Sequence, residues 1–261
     1  KIWFKNNKDS FNKQMKLNKT ILLATCFSII FSHNINDHSE WKQYFRGSYI
    51  QDENNDSGLG IYCRLNKKSK YTFRDIRAYL HFIKDYEYKK IRYKSSNKFI
   101  DFKRLYSYST ISIDQNSKIG VNIRYHGNQG VGFFIKESNN SHINAEIALA
   151  YDISDYLNDS RKTSYLKSGI YYDKKINKNE MKIEVEYYTQ ITDLIHNIDL
   201  SRLELLLETY FEINENLNLI IGYELESFES TDNNLNSSIF CSIEYHKNFD
   251  LNKFISIFNK L

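Results

Sequence analysis

The residues able to do chemistry are scattered. Seven histidines stand at His33, His38, His81, His126, His142, His196 and His246, and no two have the His-x-x-x-His spacing of a ligand pair. Cys26, Cys63 and Cys241 form no Cys-x-x-Cys and are too far apart to read as a disulfide framework. His126, ahead of Gly127-Asn128, is the one histidine placed where a catalytic base could act. Its simpler reading is a side chain facing a lumen or interface at a glycine-relaxed turn. Gly127, Gly130 and Gly132 are spaced a little like a phosphate loop, but no Lys-Ser/Thr follows and no helix pattern begins, which leaves a bulge or tight hairpin. Lipid hydrolysis needs a serine nucleophile beside a histidine, and no His-x-Ser segment occurs. Asn139, Asn158 and Asn236 each begin an Asn-x-Ser sequon, expected by chance in so asparagine-rich a chain. No catalytic, cofactor-binding or metal-binding residue is therefore expected, and no cofactor.

The elements that would position such residues are strands. From about residue 40 apolar and polar side chains alternate with a period of two. In 201–213, Leu203, Leu205, Leu207, Phe211 and Ile213 share one face with Thr209, while Arg202, Glu204, Glu208, Tyr210 and Glu212 share the other, and Leu206 is the exception. A helix would scatter these leucines and glutamates around its circumference, whereas a strand separates them. The same pattern runs through Leu217–Glu226, Ser238–His246, Met181–Ile191, Ile119–His126 and Ile143–Tyr151. Weaker strands are predicted near 41–51, 58–66, 71–84, 98–113, 130–137 and 162–173, and 85–97 reads as either a strand or a long turn. About twelve strands of 9–11 residues follow one another, separated by connections rich in Asn, Asp, Ser and Lys.

Composition agrees with β structure. Aromatic residues reach 15%, led by 21 Tyr and 17 Phe, and proline is absent, so no strand lacks a backbone donor. A mean hydropathy of −0.59 excludes a bundle of membrane helices but not a barrel, whose strands average out as hydrophilic. The net charge of +4 belongs to the beginning of the chain. Residues 1–33 hold six lysines against Asp9, so 36 less six basic residues face 32 less one acidic, close to −1 for the rest. No basic stripe of the kind nucleic acid requires is left.

Met15, Lys16 and Lys19 lead into the apolar run Thr20–Phe31 and a small residue at Ser32, the order of a secretory signal peptide over 15–32. The run is too short for a membrane helix. Residues 1–14 read as an upstream extension or fragment edge, and Leu23-Ala24-Thr25-Cys26 is a poor lipoprotein box. The remaining division is a β domain over 33–249 and an amphipathic tail over 250–261.

Alternation leaves two architectures. In a soluble sandwich the apolar faces would pack inward. In an outer-membrane barrel they face lipid, and the polar faces enclose water. The signal sequence, hairpin order and strand lengths favour an all-β, antiparallel, up-and-down transmembrane barrel, which also leaves no free strand edge. Its partners would be outer-membrane lipid, the barrel-assembly machinery and small solutes or ions. The activity would be structural or that of a channel. The alternatives are a lipid-modifying enzyme of that membrane and a soluble periplasmic β-protein that binds a partner or apolar ligand.

The stretch from Trp41 to Phe249 resembles the family of salt-induced outer-membrane proteins, whose members carry a domain of unknown function. The residues that carry the resemblance are Trp41 opening the first strand, the hairpin Gly47 to Gly60, and Tyr106 to Ile113 followed by Lys118-Ile119-Gly120. To these are added Tyr125-His126-Gly127-Asn128-Gln129-Gly130-Val131-Gly132, similar to the family's mid-chain glycine-rich strand junction, and the last hairpins from Leu217 to Phe249. The resemblance implies a β-barrel and supplies no catalytic signature. Two departures concern assembly: twelve residues follow Phe249, and Asn54-Asn55-Asp56-Ser57-Gly58 replaces a Gly-Asn-Thr-like turn.

Overall fold

The computed structural model describes residues 40–155, 161–193, 199–229 and 235–249. The expected signal peptide, the extension before it, Cys26, Asn158 and the tail after Phe249 lie outside the described residues. Twelve strands run as β1 (Trp41–Asp52), β2 (Ser57–Lys68), β3 (Thr72–Ile83), β4 (Tyr86–Lys98), β5 (Leu105–Asn116), β6 (Val121–Glu137), β7 (Ser141–Ser154), β8 (Arg161–Ile176), β9 (Asn179–Gln190), β10 (Arg202–Asn214), β11 (Leu217–Phe228) and β12 (Leu235–Phe249). Each pairs antiparallel with its neighbours in sequence, and β1 pairs with β12, closing a barrel. Closure gives every strand two partners, so no strand edge remains open.

The total of twelve agrees with the expectation, but the strands are divided differently. The stretch 85–97 is a strand, β4, whereas 119–126 and 130–137 are one continuous strand, β6. The glycine-rich segment is thus neither a junction nor a hairpin. Gly132 lies mid-strand because the Tyr106 ring crosses it, and a Cβ there would come within 2.1 Å of that ring. Gly222 on β11 does the same under Phe240, at 2.2 Å. The one irregularity of β6 against β7 falls later, between Phe134 and Lys136. The predicted strand at 98–113 begins at Leu105 instead, because 99–104 form a connection. Strands are 12 to 17 residues long, beyond the expected 9–11, since the ladders continue into polar rims.

Without proline, asparagine makes the tight turns. Asn55 and Asn177 take φ values of 63° and 56°, in the left-handed region that asparagine tolerates. At the end bearing Trp41 and Phe249 the connections are 69–71, 99–104, 138–140, 177–178 and 215–216. The opposite end has 53–56, 84–85 and 117–120, together with the longer 155–160, 191–201 and 229–234.

The pleat decides what each face meets. Leu59, Ile91, Leu149, Ile239 and Ile243 are all about 60% exposed on the outer face, as are Val131, Ile147, Ile170 and Ile221 to a lesser degree. Leu203 and Leu207 belong to that same face through register with Tyr187 and Ile183, so they do not meet in a dry interior between two sheets. This excludes the soluble sandwich. Apolar cover on this scale far exceeds the patches of soluble monomers. Outward aromatics cluster at two levels: Tyr49, Tyr151 and Tyr223 toward one end, Trp41, Phe133 and Tyr245 toward the other. Trp41 and Tyr49 are eight residues apart on β1, roughly 27 Å along the strand. Ser95, Ser109 and Gln129 make one polar row across β4, β5 and β6 on the mainly apolar outside.

Candidate functional site

The inner faces carry the charge. Arg46 on β1 donates through Nη1 to Glu208 (2.5 Å), through Nε to Glu244 (2.6 Å) and through Nη2 to the Tyr210 hydroxyl (2.8 Å), linking β1, β10 and β12. Its guanidinium also lies 4.4 Å from the centre of the Tyr62 ring. Asp75 accepts from Arg64 at 2.6 Å and Arg77 at 2.5 Å. From there the Arg77 Nη1 reaches Glu184 of β9, 3.6 Å away. Arg92 approaches Glu186 at 3.9 Å, His81 approaches Glu224 at 3.7 Å, and Arg124 joins Asp114 to Glu226. Lys167, fully buried, donates to Glu186 at 2.8 Å and to the Tyr171 hydroxyl at 3.0 Å. Such groups remain ionised inside a protein only when they satisfy one another.

These pairs are sorted around the ring. From β1–β4 the lumen receives Lys42, Arg46, Arg64, Lys68, Arg77, Lys90, Arg92, Lys94 and Lys98, with Asp52 and Asp75 as the inward carboxylates of those strands. From β9–β12 it receives Glu180, Glu184, Glu186, Glu204, Glu208, Glu212, Glu224, Glu226 and Glu244, with Lys182 and Arg202 as the inward Lys and Arg. In the closed order β3 lies opposite β9 and β4 opposite β10. A cationic wall therefore faces an anionic one, which sets an electric field across the lumen rather than along it.

Two chambers occupy the lumen. The one toward the Trp41 and Phe249 end has a volume of about 850 Å³, and the one toward the other end about 170 Å³. Arg64, Arg77, Arg92, Lys182, Glu184 and Tyr210 line both, so they form the divide. At the smaller chamber an apolar patch interrupts the charge: Ile50, Ile83 and Phe240 with the half-buried Leu206 and Tyr86. Leu206, the exception to alternation in the β10 sequence, is accounted for by this patch.

His126 faces the lumen and not a turn. It pairs through Nδ1 with Asp152, and its Nε2 lies 2.9 Å from the Asn128 amide nitrogen. Ser112, His126 and Asp152 are register partners across β5, β6 and β7. That is a Ser-His-Asp set by sequence position, but Asn128 takes the second imidazole nitrogen, and the adjoining cavity is about 20 Å³. General-base activation requires the nucleophile, not an amide, at that nitrogen. Asp152 also accepts from Arg202 at 3.1 Å, so the set reads as part of the ion-pair lattice. Asn139 lies in the β6–β7 turn, and Asn236 lines the smaller chamber. Cys63 and Cys241 are free thiols on the outer faces of β2 and β12, with β1 between them.

With closure, the apolar outside and the charged inside established, the comparison with solved structures is decisive for the fold. The NanC porin superimposes with a TM-score of 0.55 at 9% identity, covering 78% of this chain and 98% of the porin. The fold is a closed twelve-stranded antiparallel barrel like that of this porin. The KdgM porin in complex with disordered oligogalacturonate (TM-score 0.46, 8% identity, 79% and 99% covered) and the translocator domain of the autotransporter NalP from Neisseria meningitidis (0.44, 11%, 91% and 97%) are more distant in shape. No protein-family model and no curated protein sequence matches the chain.

Sequence reasoning missed the sorted walls. The signal was present, since the charged residues at inward positions of 42–98 are mostly Lys and Arg and those of 180–244 mostly Glu. A near-zero net charge averaged it away.

Proposed function

We propose that this chain is a channel-type barrel of the outer membrane of a Gram-negative bacterium, passing small charged solutes or ions and catalysing no reaction. The observation that supports it most strongly is the division of faces: leucine and isoleucine outside, ion pairs and two chambers inside. An apolar exterior of this kind is stable against hydrocarbon and unstable against water. The porin-type fold agrees with this reading. Export through the 15–32 signal peptide, insertion by the barrel-assembly machinery and contact with outer-membrane lipid but no nucleic acid complete it. Membership of the salt-induced outer-membrane protein family belongs to the same proposal and rests on the strand and glycine pattern from Trp41 to Phe249.

Membrane recovery, a gel mobility that changes on boiling, and potassium chloride conductance in planar bilayers are the expected results. Arg77→Gln should shift ion preference toward cations and Glu184→Gln toward anions. Each shift should be about fivefold, from roughly 1 kcal/mol for a unit charge at 4 Å in water. Recovery as a freely soluble periplasmic protein would sink the proposal.

A further inference from the structure

The sorted charge has a consequence for what can pass. At and above the divide the two walls touch: Arg77 with Glu184 at 3.6 Å, Arg92 with Glu186 at 3.9 Å, His81 with Glu224 at 3.7 Å, and Arg46 with Glu208. A solute moving between the chambers must part some of these contacts. At Arg77–Glu184 a simple anion can satisfy the arginine but leaves Glu184 without that cation, and a simple cation satisfies Glu184 but leaves Arg64 and Arg77 sharing the single carboxylate of Asp75. A charge stranded in a narrow, protein-walled space is costly. A zwitterion replaces both partners at once, its carboxylate against the β1–β4 wall and its ammonium against the β9–β11 wall. The transverse field turns it into that orientation.

A second observation narrows the solute. Ile50, Ile83, Leu206, Phe240 and Tyr86 face the same 170 Å³ chamber that Arg77 and Glu184 line. Apolar surface at one level of an ionic lumen gains by covering itself with an apolar group. The chamber is smaller than the roughly 300–1,000 Å³ of pockets for drug-sized ligands, which matches a solute of a few heavy atoms.

We propose that the lumen selects small zwitterions bearing an apolar side chain, namely free amino acids, by exchanging their two charges for the ion pairs between the cationic and anionic walls. This rests on the channel reading above. Leucine, 4-methylpentanoate and 3-methylbutylamine share one isobutyl group and differ only in charge, so they are the probes. Each is added to single channels carrying potassium chloride current. Leucine should interrupt the current for about tenfold longer than either singly charged analogue, the ratio that about 1.4 kcal/mol of differential interaction produces. Glycine, which lacks the apolar group, should be released sooner than leucine.

In Glu184→Gln/Glu224→Gln the anion should approach leucine, and in Arg77→Gln/Arg92→Gln the amine should. Glu184→Gln alone must move the same way. All variants are first checked for the gel shift on boiling. Conductance with three indistinguishable probes, or a leucine preference that survives both double variants, would overturn the inference and leave the channel standing. Absence of any conductance would overturn both.

Discussion

Replacing Leu149 by arginine distinguishes an exterior that meets lipid from one that meets water. Leu149 is the ninth of fourteen residues in β7, 66% exposed, with Gln129 and Leu166 as its cross-strand partners. On a protein surface in water so exposed a change costs within about 0.5 kcal/mol. In hydrocarbon two losses add. Full burial of a leucine is worth about 1.5–3 kcal/mol, so two-thirds of it is about 1–2 kcal/mol. An arginine near the bilayer midplane costs a further 2–4 kcal/mol or so. The sum is about 3–6 kcal/mol. Ile176→Arg supplies the depth control: it is also outward and half-exposed, but it closes β8 at the rim, where the penalty falls to about 0–1 kcal/mol. The assay is reversible urea unfolding from phosphatidylcholine vesicles. A Leu149→Arg barrel as stable as the Ile176→Arg barrel would mean that Leu149 does not meet hydrocarbon.

Other consequences concern the inside and the seam. Arg46→Met leaves the buried Glu208 and Glu244 without their shared cation and should cost about 3 kcal/mol in the same unfolding assay. Adding Glu208→Gln and Glu244→Gln should restore at least half of that loss, because the damage comes from stranded charge; no recovery would show that packing, not charge, is lost. Ser48 and Ser242 are register partners across the β1–β12 seam with their hydroxyls 2.7 Å apart. Ser48→Cys/Ser242→Cys should therefore oxidise to an intramolecular disulfide in the folded barrel, read by gel mobility without reductant. Failure to cross-link would mean the seam is open or in another register.

How much was legible in the sequence depends on which physical quantity carried the information. Strand faces were legible because a period of two survives in any one strand: the assignment of Leu203, Leu205 and Leu207 against Arg202, Glu204 and Glu208 matches the observed faces. Continuity was less so. Glycines in β6 suggested a break because a glycine's reason for being there, the Tyr106 ring lying over Gly132, is a contact with another strand. β4 was ambiguous since Lys89, Lys90, Arg92 and Lys94 blur its alternation; its inward cations are matched by glutamates far away in sequence. The same holds for the divide at Arg77 and Glu184, which lie on opposite walls. Registers and closure, both tertiary, decide those partnerships.

In the proposed membrane barrel, apolar faces look outward into lipid while charged faces enclose water. Lys90 and Ile91 are neighbours on β4, the first lining the smaller chamber and the second 62% exposed outside. With Cys63 and Cys241 replaced by serine, a nitroxide is attached in turn at Lys90→Cys and Ile91→Cys in vesicles. Collision with oxygen, which concentrates in hydrocarbon, should dominate at 91, and collision with a water-soluble nickel chelate at 90. Nickel access at 91 equal to or above that at 90 would contradict the account.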